Sequence, residues 1–323
     1  MIAAIRSRVG SVSAATCWGL GLTLGLLIAI GGCWFDLPGI AEQFLENDSQ
    51  GSLLVCGGGE LPNVVRDRFL ELAGGRNAKI VVIPAEQVTA QHRREVAELA
   101  QWASRGMARV TVLYTTDRQR ANEPDFYAPL LEATGVWIGG GQQDWLTSMY
   151  GGGEVEAQLK EVLARGGVVA GSSAGAAVMS GVMITSGRSA AVEGRGFGLF
   201  PGAIVDQHFL KRNRVKRLMG LLQQHPDLVG FGIDEHTALE VRLSDMRLRV
   251  IGDSYVVACV PGTDGHHARI EILQRGDITD LAQLQTPEEE VYAVAEEPAD
   301  ASPEPMTLEP VTADPTSDET QTL

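Results

Sequence analysis

Ser173 lies at the centre of Gly171-Ser172-Ser173-Ala174-Gly175, and His208 follows in Asp206-Gln207-His208-Phe209. A serine hydroxyl is a weak nucleophile until a base accepts its proton, so a serine and a histidine in this relation are a candidate pair for covalent catalysis. The apolar run Val168 to Ala170 precedes the serine and an Ala-rich run follows it, the strand–turn–helix order of a nucleophile elbow. Gly171 and Gly175 let the chain turn sharply and the helix pack against the strand. The N–H of Ala174 is then placed as half of an oxyanion hole at a positive helix end. Taken alone, the five-residue pattern also fits a glycine-rich turn without chemistry, and an isolated histidine is more often structural.

Positioning such a pair takes a scaffold, and the pattern of the chain supplies one. Short apolar strands are expected at Ser52–Cys56, Lys79–Ile83, Arg109–Tyr114, Gly135–Ile138 and Gly167–Ala170. Helical periodicity falls between them, including 93–104 and Glu154–Ala164. This alternation predicts an α/β fold with a mostly parallel sheet and helices on both faces. Further strands are expected near 229–233, 238–241, 248–251 and 256–260, some antiparallel, after a glycine-rich stretch at 181–202. The loop Gly57-Gly58-Gly59 lacks the spacings of a nucleotide-binding loop and reads as a tight turn at the active-site edge of the sheet.

The net charge of −15 is unevenly spread. Eleven acidic residues and no Lys or Arg fall in 286–323, so the body is only mildly acidic. The segment 287–323 reads as an acidic disordered tail. No basic stripe with interleaved aromatics points to nucleic acid. Cys56 and Cys259 read as buried small hydrophobes, and no Cys/His spacing reads as a metal site. At the N-terminus, Arg6 and Arg8 precede a charge-free stretch from Val9 to Phe35. Residues 1–35 therefore read as a signal peptide, a lipoprotein signal with Cys33 as the lipidated residue, or a retained membrane anchor. A polar linker spans 36–51, and the folded domain is expected over 52–286. These features imply an exported protein, secreted or held at the bacterial cell envelope.

Three segments join the elbow in a recognisable set: Gly139-Gly140-Gly141-Gln142-Gln143, Asp206-Gln207-His208-Phe209, and Gly232-Ile233-Asp234-Glu235-His236-Thr237-Ala238. From about Ser52 to Val260 the chain resembles the cyanophycinase and aspartyl dipeptidase family of serine peptidases. The resemblance implies a three-layer α/β sandwich like that of the class I glutamine amidotransferases. It makes Ser173 the nucleophile and His208 the base, with an oxyanion hole at Ala174, Gly140 and Gly141. It implies no cofactor and no metal, a small peptide or Asp-rich polypeptide as substrate, and a possible homodimer. It also implies an acid between Ser and His to orient the imidazole. Glu193 is the better candidate and Asp206 the alternative, although the family acid falls nearer Ser186.

The resemblance further assigns Gln143, Gln207, Arg212, Arg214 and Arg217 to substrate binding, the arginines suiting aspartate carboxylates. Gln142 and Trp145 depart from the family pattern, which has Asp and Arg there. The function implied is hydrolysis of a peptide or isopeptide bond next to aspartate. Release of β-Asp-Arg stands first, with α-aspartyl dipeptidase activity or a non-catalytic binding homologue as alternatives.

Overall fold

The computed structural model describes residues 50–85, 109–262 and 267–286. The N-terminal segment with Cys33, the expected helix at 93–104 and the acidic tail lie outside the described residues.

The core is an eight-stranded mixed sheet with parallel strands on one side. β1 (Ser52–Cys56), β2 (Lys79–Ala85), β3 (Arg109–Val112), β4 (Gly135–Gly141) and β5 (Val168–Ser172) are mutually parallel in the order β1-β5-β4-β2-β3. Their apolar residues are continuous because both faces are covered. Leu54, Cys56, Ile80, Val82, Trp137, Val168 and Ala170 pack with Val65 and Phe69 of the helix Asn63–Leu72. The alternating residues Leu53, Val55, Val81, Ile83, Val136, Ile138 and Val169 are equally buried on the opposite face. Phe69 meets Trp137 edge to face at 5.2 Å, and Gly135 leaves the room for its ring.

Past β1 the sheet turns antiparallel, through β10 (Thr237–Arg242), β11 (Arg247–Gly252) and β14 (Ile278–Asp280). A second sheet runs β13-β12-β9-β8, from β8 (Ala203–Gln207), β9 (Val229–Ile233), β12 (Val256–Val260) and β13 (Arg269–Leu273). The helix Val215–Leu222 buries Leu218, Leu221 and Leu222 against it.

Several elements differ from expectation, among them β13, β14 and the helix Leu281–Gln285, which the sequence did not mark. The helix after the elbow is a single turn, Ala174–Ala177. Residues 143–150 form a helix that apolar periodicity did not mark. The glycine-rich stretch contains a hairpin, β6 (Val182–Ser186) and β7 (Val192–Arg195), whose strands are too short and too exposed to carry a clear period of two.

Candidate active site

Register places the site. Ser172 is level with Cys56 across the β1–β5 pair, and Gly171 is level with Ile138 across β4–β5. The chain ends of β1, β4 and β5 therefore open on one edge, with Ser173 first past its strand. Gly171 and Gly175 are in direct backbone contact. A Cβ on Gly171 would lie 2.2 Å from Gly175 O, and one on Gly175 would lie 2.2 Å from Ile138 O. Only glycine permits that approach, and it forces Ser173 to φ 53°, ψ −107°. Such a conformation is costly for a residue with a Cβ and persists where the surroundings impose it. Here they do so in part through a hydrogen bond from Ser173 N–H to Cys56 O at 3.0 Å.

The next two carbonyls of the same loop hold the other residues of the site. His208 N–H donates to Gly57 O at 2.8 Å, and His236 N–H donates to Gly58 O at 3.0 Å. His208 has φ 46° and follows β8, whereas Glu235, just before His236, follows β9. Gly58, at φ 101°, faces the imidazole so closely that a Cβ would fall 2.5 Å from His208 Cε1. The loop Gly57-Gly58-Gly59 is thus a floor for the histidine.

The side chains form a relay. Ser173 Oγ lies 2.9 Å from His208 Nε2, and His208 Nδ1 lies 2.7 Å from Glu235 Oε1. An ionised carboxylate can only accept, so Nδ1 carries the proton and Nε2 is left to accept from the serine. The His208 pKa is lowered, first by burial, then by the positive charges of Arg212 and Arg214, against the raising effect of Glu235. The imidazole is therefore neutral, and able to act as a base, further into acid than a free histidine. Ala174 opens the helical turn beside Ser173. A Cβ on Gly140 would sit 3.5 Å from Ser173 Cβ, so the β4 end borders Ser173.

The orienting acid is not where sequence reasoning put it. Glu193 lies on β7 and pairs with His225 at 2.9 Å. Asp206 is buried and held by Arg217 at 2.7 and 2.5 Å, with Arg214 at 3.3 Å. Neither reaches His208, and Glu235 occupies Nδ1 instead. The family resemblance implies an acid between Ser173 and His208, whereas Glu235 lies beyond both in the chain. The signal that could have found Glu235 was an acid just past an apolar strand end, in a segment already singled out.

The residues assigned to substrate binding are not equivalent. Arg212 is exposed; its backbone N–H donates to His208 O at 3.0 Å, and its guanidinium has no hydrogen-bond partner among the described residues. Arg214 is mostly buried, and burial pushes its pKa down to about 10; it donates to Gln207 O at 2.6 Å and to Gln207 Oε1. Arg217 is 3% exposed and committed to Asp206 and Gly187 O. Gln143 donates to Ile184 O and Thr185 O at 3.2 and 2.7 Å. Trp145 stacks on Tyr114 at 5.7 Å. Cys56 and Cys259 are free thiols, both buried, and burial raises both pKa values. Among the described residues no cluster of His, Cys, Asp and Glu could hold a metal ion.

Similarity to known proteins agrees with this geometry. Residues 53–249 match peptidase family S51. The cyanophycinase of Synechococcus elongatus is 34% identical over 230 residues, covering 66% of this chain and 69% of that protein. The cyanophycinase of Geminocystis herdmanii is 31% identical over 264 residues, covering 73% of this chain and 94% of that protein. A crystal structure of a peptidase from an acI-B1 actinobacterium superposes with a TM-score of 0.57 at 23% identity, over 73% of this chain and 99% of that one, and so shares the fold. With a serine from the end of a strand of the first sheet meeting a histidine and a glutamate from the ends of two strands of the second, all inside the matched span, the chain belongs to peptidase family S51.

Proposed function

We propose that this protein is a serine peptidase that hydrolyses peptide or isopeptide bonds next to aspartate, with release of β-Asp-Arg as the preferred reaction. The observation that carries the reading is the continuous Ser173–His208–Glu235 relay beside the exposed Arg212. Ser173 Oγ attacks the scissile carbonyl while His208 Nε2 takes its proton. Glu235 holds the imidazole in the required tautomer and stabilises the imidazolium that forms. The developing oxyanion is met by the N–H of Ala174 and by the backbone of Gly140 and Gly141. His208 then gives its proton to the leaving amine, and water hydrolyses the acyl-enzyme through the same base.

Arg212 suits the side-chain or terminal carboxylate of an aspartate, because a guanidinium binds a carboxylate through two parallel donors. The names of the relatives add the choice of β-Asp-Arg over α-aspartyl dipeptides. The relay supports catalysis over a non-catalytic binding reading, because Glu235 supplies an orienting acid, while the loop at Gln142 and Trp145 keeps its departure from the family pattern. Arg6, Arg8 and the charge-free stretch after them support an exported or membrane-anchored protein.

The test is an assay of purified protein on cyanophycin and on Asp-X dipeptides, with Ser173→Ala alongside. Release of β-Asp-Arg that disappears in Ser173→Ala supports the reading. Cleavage of the dipeptides alone moves the assignment to aspartyl dipeptidase. No serine-dependent turnover of either, with no labelling of Ser173 by a phosphonate, overturns it.

A further inference from the structure

Two residues that the family resemblance assigns to substrate hold a piece of this protein instead. The Gln143 amide donates to two successive carbonyls of the β6–β7 hairpin, Ile184 O and Thr185 O. The Arg217 guanidinium donates through Nε and one Nη to both oxygens of Asp206, and through the other Nη to Gly187 O in the hairpin turn. Arg217 and Asp206 are 3% and 1% exposed, so the arginine cannot swing toward a ligand without leaving a buried carboxylate short of its partner. Gly187 has φ 102°, a backbone conformation that keeps this position a glycine.

One tether starts beside Ser173 and the other beside His208. Gln143 opens the helix three residues past Gly140, which borders Ser173. Arg217 acts through Asp206, which sits in β8 two residues before His208. The second strand of the hairpin adds one clasp, Arg195 to the buried Glu156 at 3.0 Å, and one exposed pair, Glu193 with His225 at 2.9 Å, that contributes little. The turn itself, Arg188 to Ala190, is exposed and carries no apolar anchor. The hairpin stays in place through these polar clasps together with the buried Met183 and Ile184.

We infer that Gln143 and Arg217 are positioning residues that lock the 182–195 hairpin as one wall of the substrate cleft. The groups that meet the substrate on that side belong to the hairpin, not to Gln143 or Arg217. The cleft part of this inference rests on the serine peptidase reading. The tethering part does not.

Limited trypsin digestion of the full chain reads the tethers directly, because Arg188 is an exposed cleavage site in the hairpin turn. Cleavage follows the fraction of molecules in which the hairpin is open, so Gln143→Ala and Arg217→Lys should each speed the cut after Arg188 by roughly ten-fold. The cut is quantified by mass spectrometry against wild type, with circular dichroism checking the fold. Turnover of a neutral ester and of an Asp peptide should fall by the same factor in each variant, because a displaced wall affects both. An unchanged cut after Arg188 in both variants overturns the inference. So does a loss confined to the KM for Asp peptides with kcat and ester turnover intact, since that marks a lost substrate contact. If Arg217→Lys does not fold, Gln143→Ala decides alone, because its half-buried side chain leaves no buried charge behind. Should the protein turn over neither substrate, the proteolysis result still stands, and only the peptidase reading fails.

Discussion

Glu235 Oε1 accepts from His208 Nδ1 at 2.7 Å although the residues are 27 positions apart. The contact is a consequence of strand register. β8 and β9 are parallel, with Gln207 level with Ile233, so the residues that leave the two strands emerge side by side. Replacing Glu235 by Gln keeps the shape and removes the charge that fixes the tautomer. The expected result is a fall in kcat of about 10³–10⁴-fold, the scale of the corresponding change in the serine-protease template. Glu193→Gln should stay within about two-fold, because surface pairs contribute little. Equal kcat values for the two variants would remove Glu235 from the relay.

The pH profile follows from the environment of His208. Burial, then Arg212 and Arg214, lower its pKa below the ordinary 6.5, and Glu235 opposes them. The reaction needs neutral imidazole, so activity is lost as the pH falls through this lowered pKa. The acid limb of kcat/KM should therefore lie below pH 6.5. Arg212→Gln removes a charge that disfavours imidazolium, so the limb should move up in pH. Glu235→Gln removes the charge that favours imidazolium, so the residual activity should show a limb moved down. Shifts of the same sign in both variants would contradict the geometry.

Gly58 is the floor residue that faces the imidazole. An added Cβ would fall 2.5 Å from the imidazole, in a backbone conformation that costs a non-glycine residue energy. Gly58→Ala should lower kcat by roughly 10²-fold through misplacement of His208, with stability down by about 1–3 kcal/mol. Gly74→Ala is the useful comparison. That glycine also has positive φ but nothing near its Cβ, so it should lose stability without losing kcat.

The scaffold was largely legible because parallel strands buried on both faces write themselves as apolar runs. Leu53 to Cys56 and Val168 to Ala170 are such runs, and the helix Glu154–Ala164 carries its own period. The elbow was legible for a different reason: the close approach at Gly171 and Gly175 admits no other residue type. Glu235 was not, because its role depends on which strand lies beside β8, and that is a long-range fact. The burial of Arg217 against Asp206 was not legible for the related reason that sequence records a guanidinium but not its surroundings. The β6–β7 hairpin escaped because short polar strands held by side chains from elsewhere leave no periodic trace.

Asp206 invites a misinterpretation that a stability measurement can prevent. It stands two residues before His208, so loss of activity on its replacement could be taken for a catalytic role. Yet its carboxylate is spent on Arg217 and Arg214 inside the fold. Asp206→Ala leaves Arg217 buried without its counter-charge, and breaking a buried pair in this way costs about 3–5 kcal/mol. The variant should be strongly destabilised in urea. Replacing both partners, as Asp206→Leu with Arg217→Met, should recover much of that loss, since an apolar pair of similar volume carries no desolvation cost. If Asp206→Ala instead unfolds like wild type and only kcat falls, Asp206 belongs with His208 and Glu235 after all.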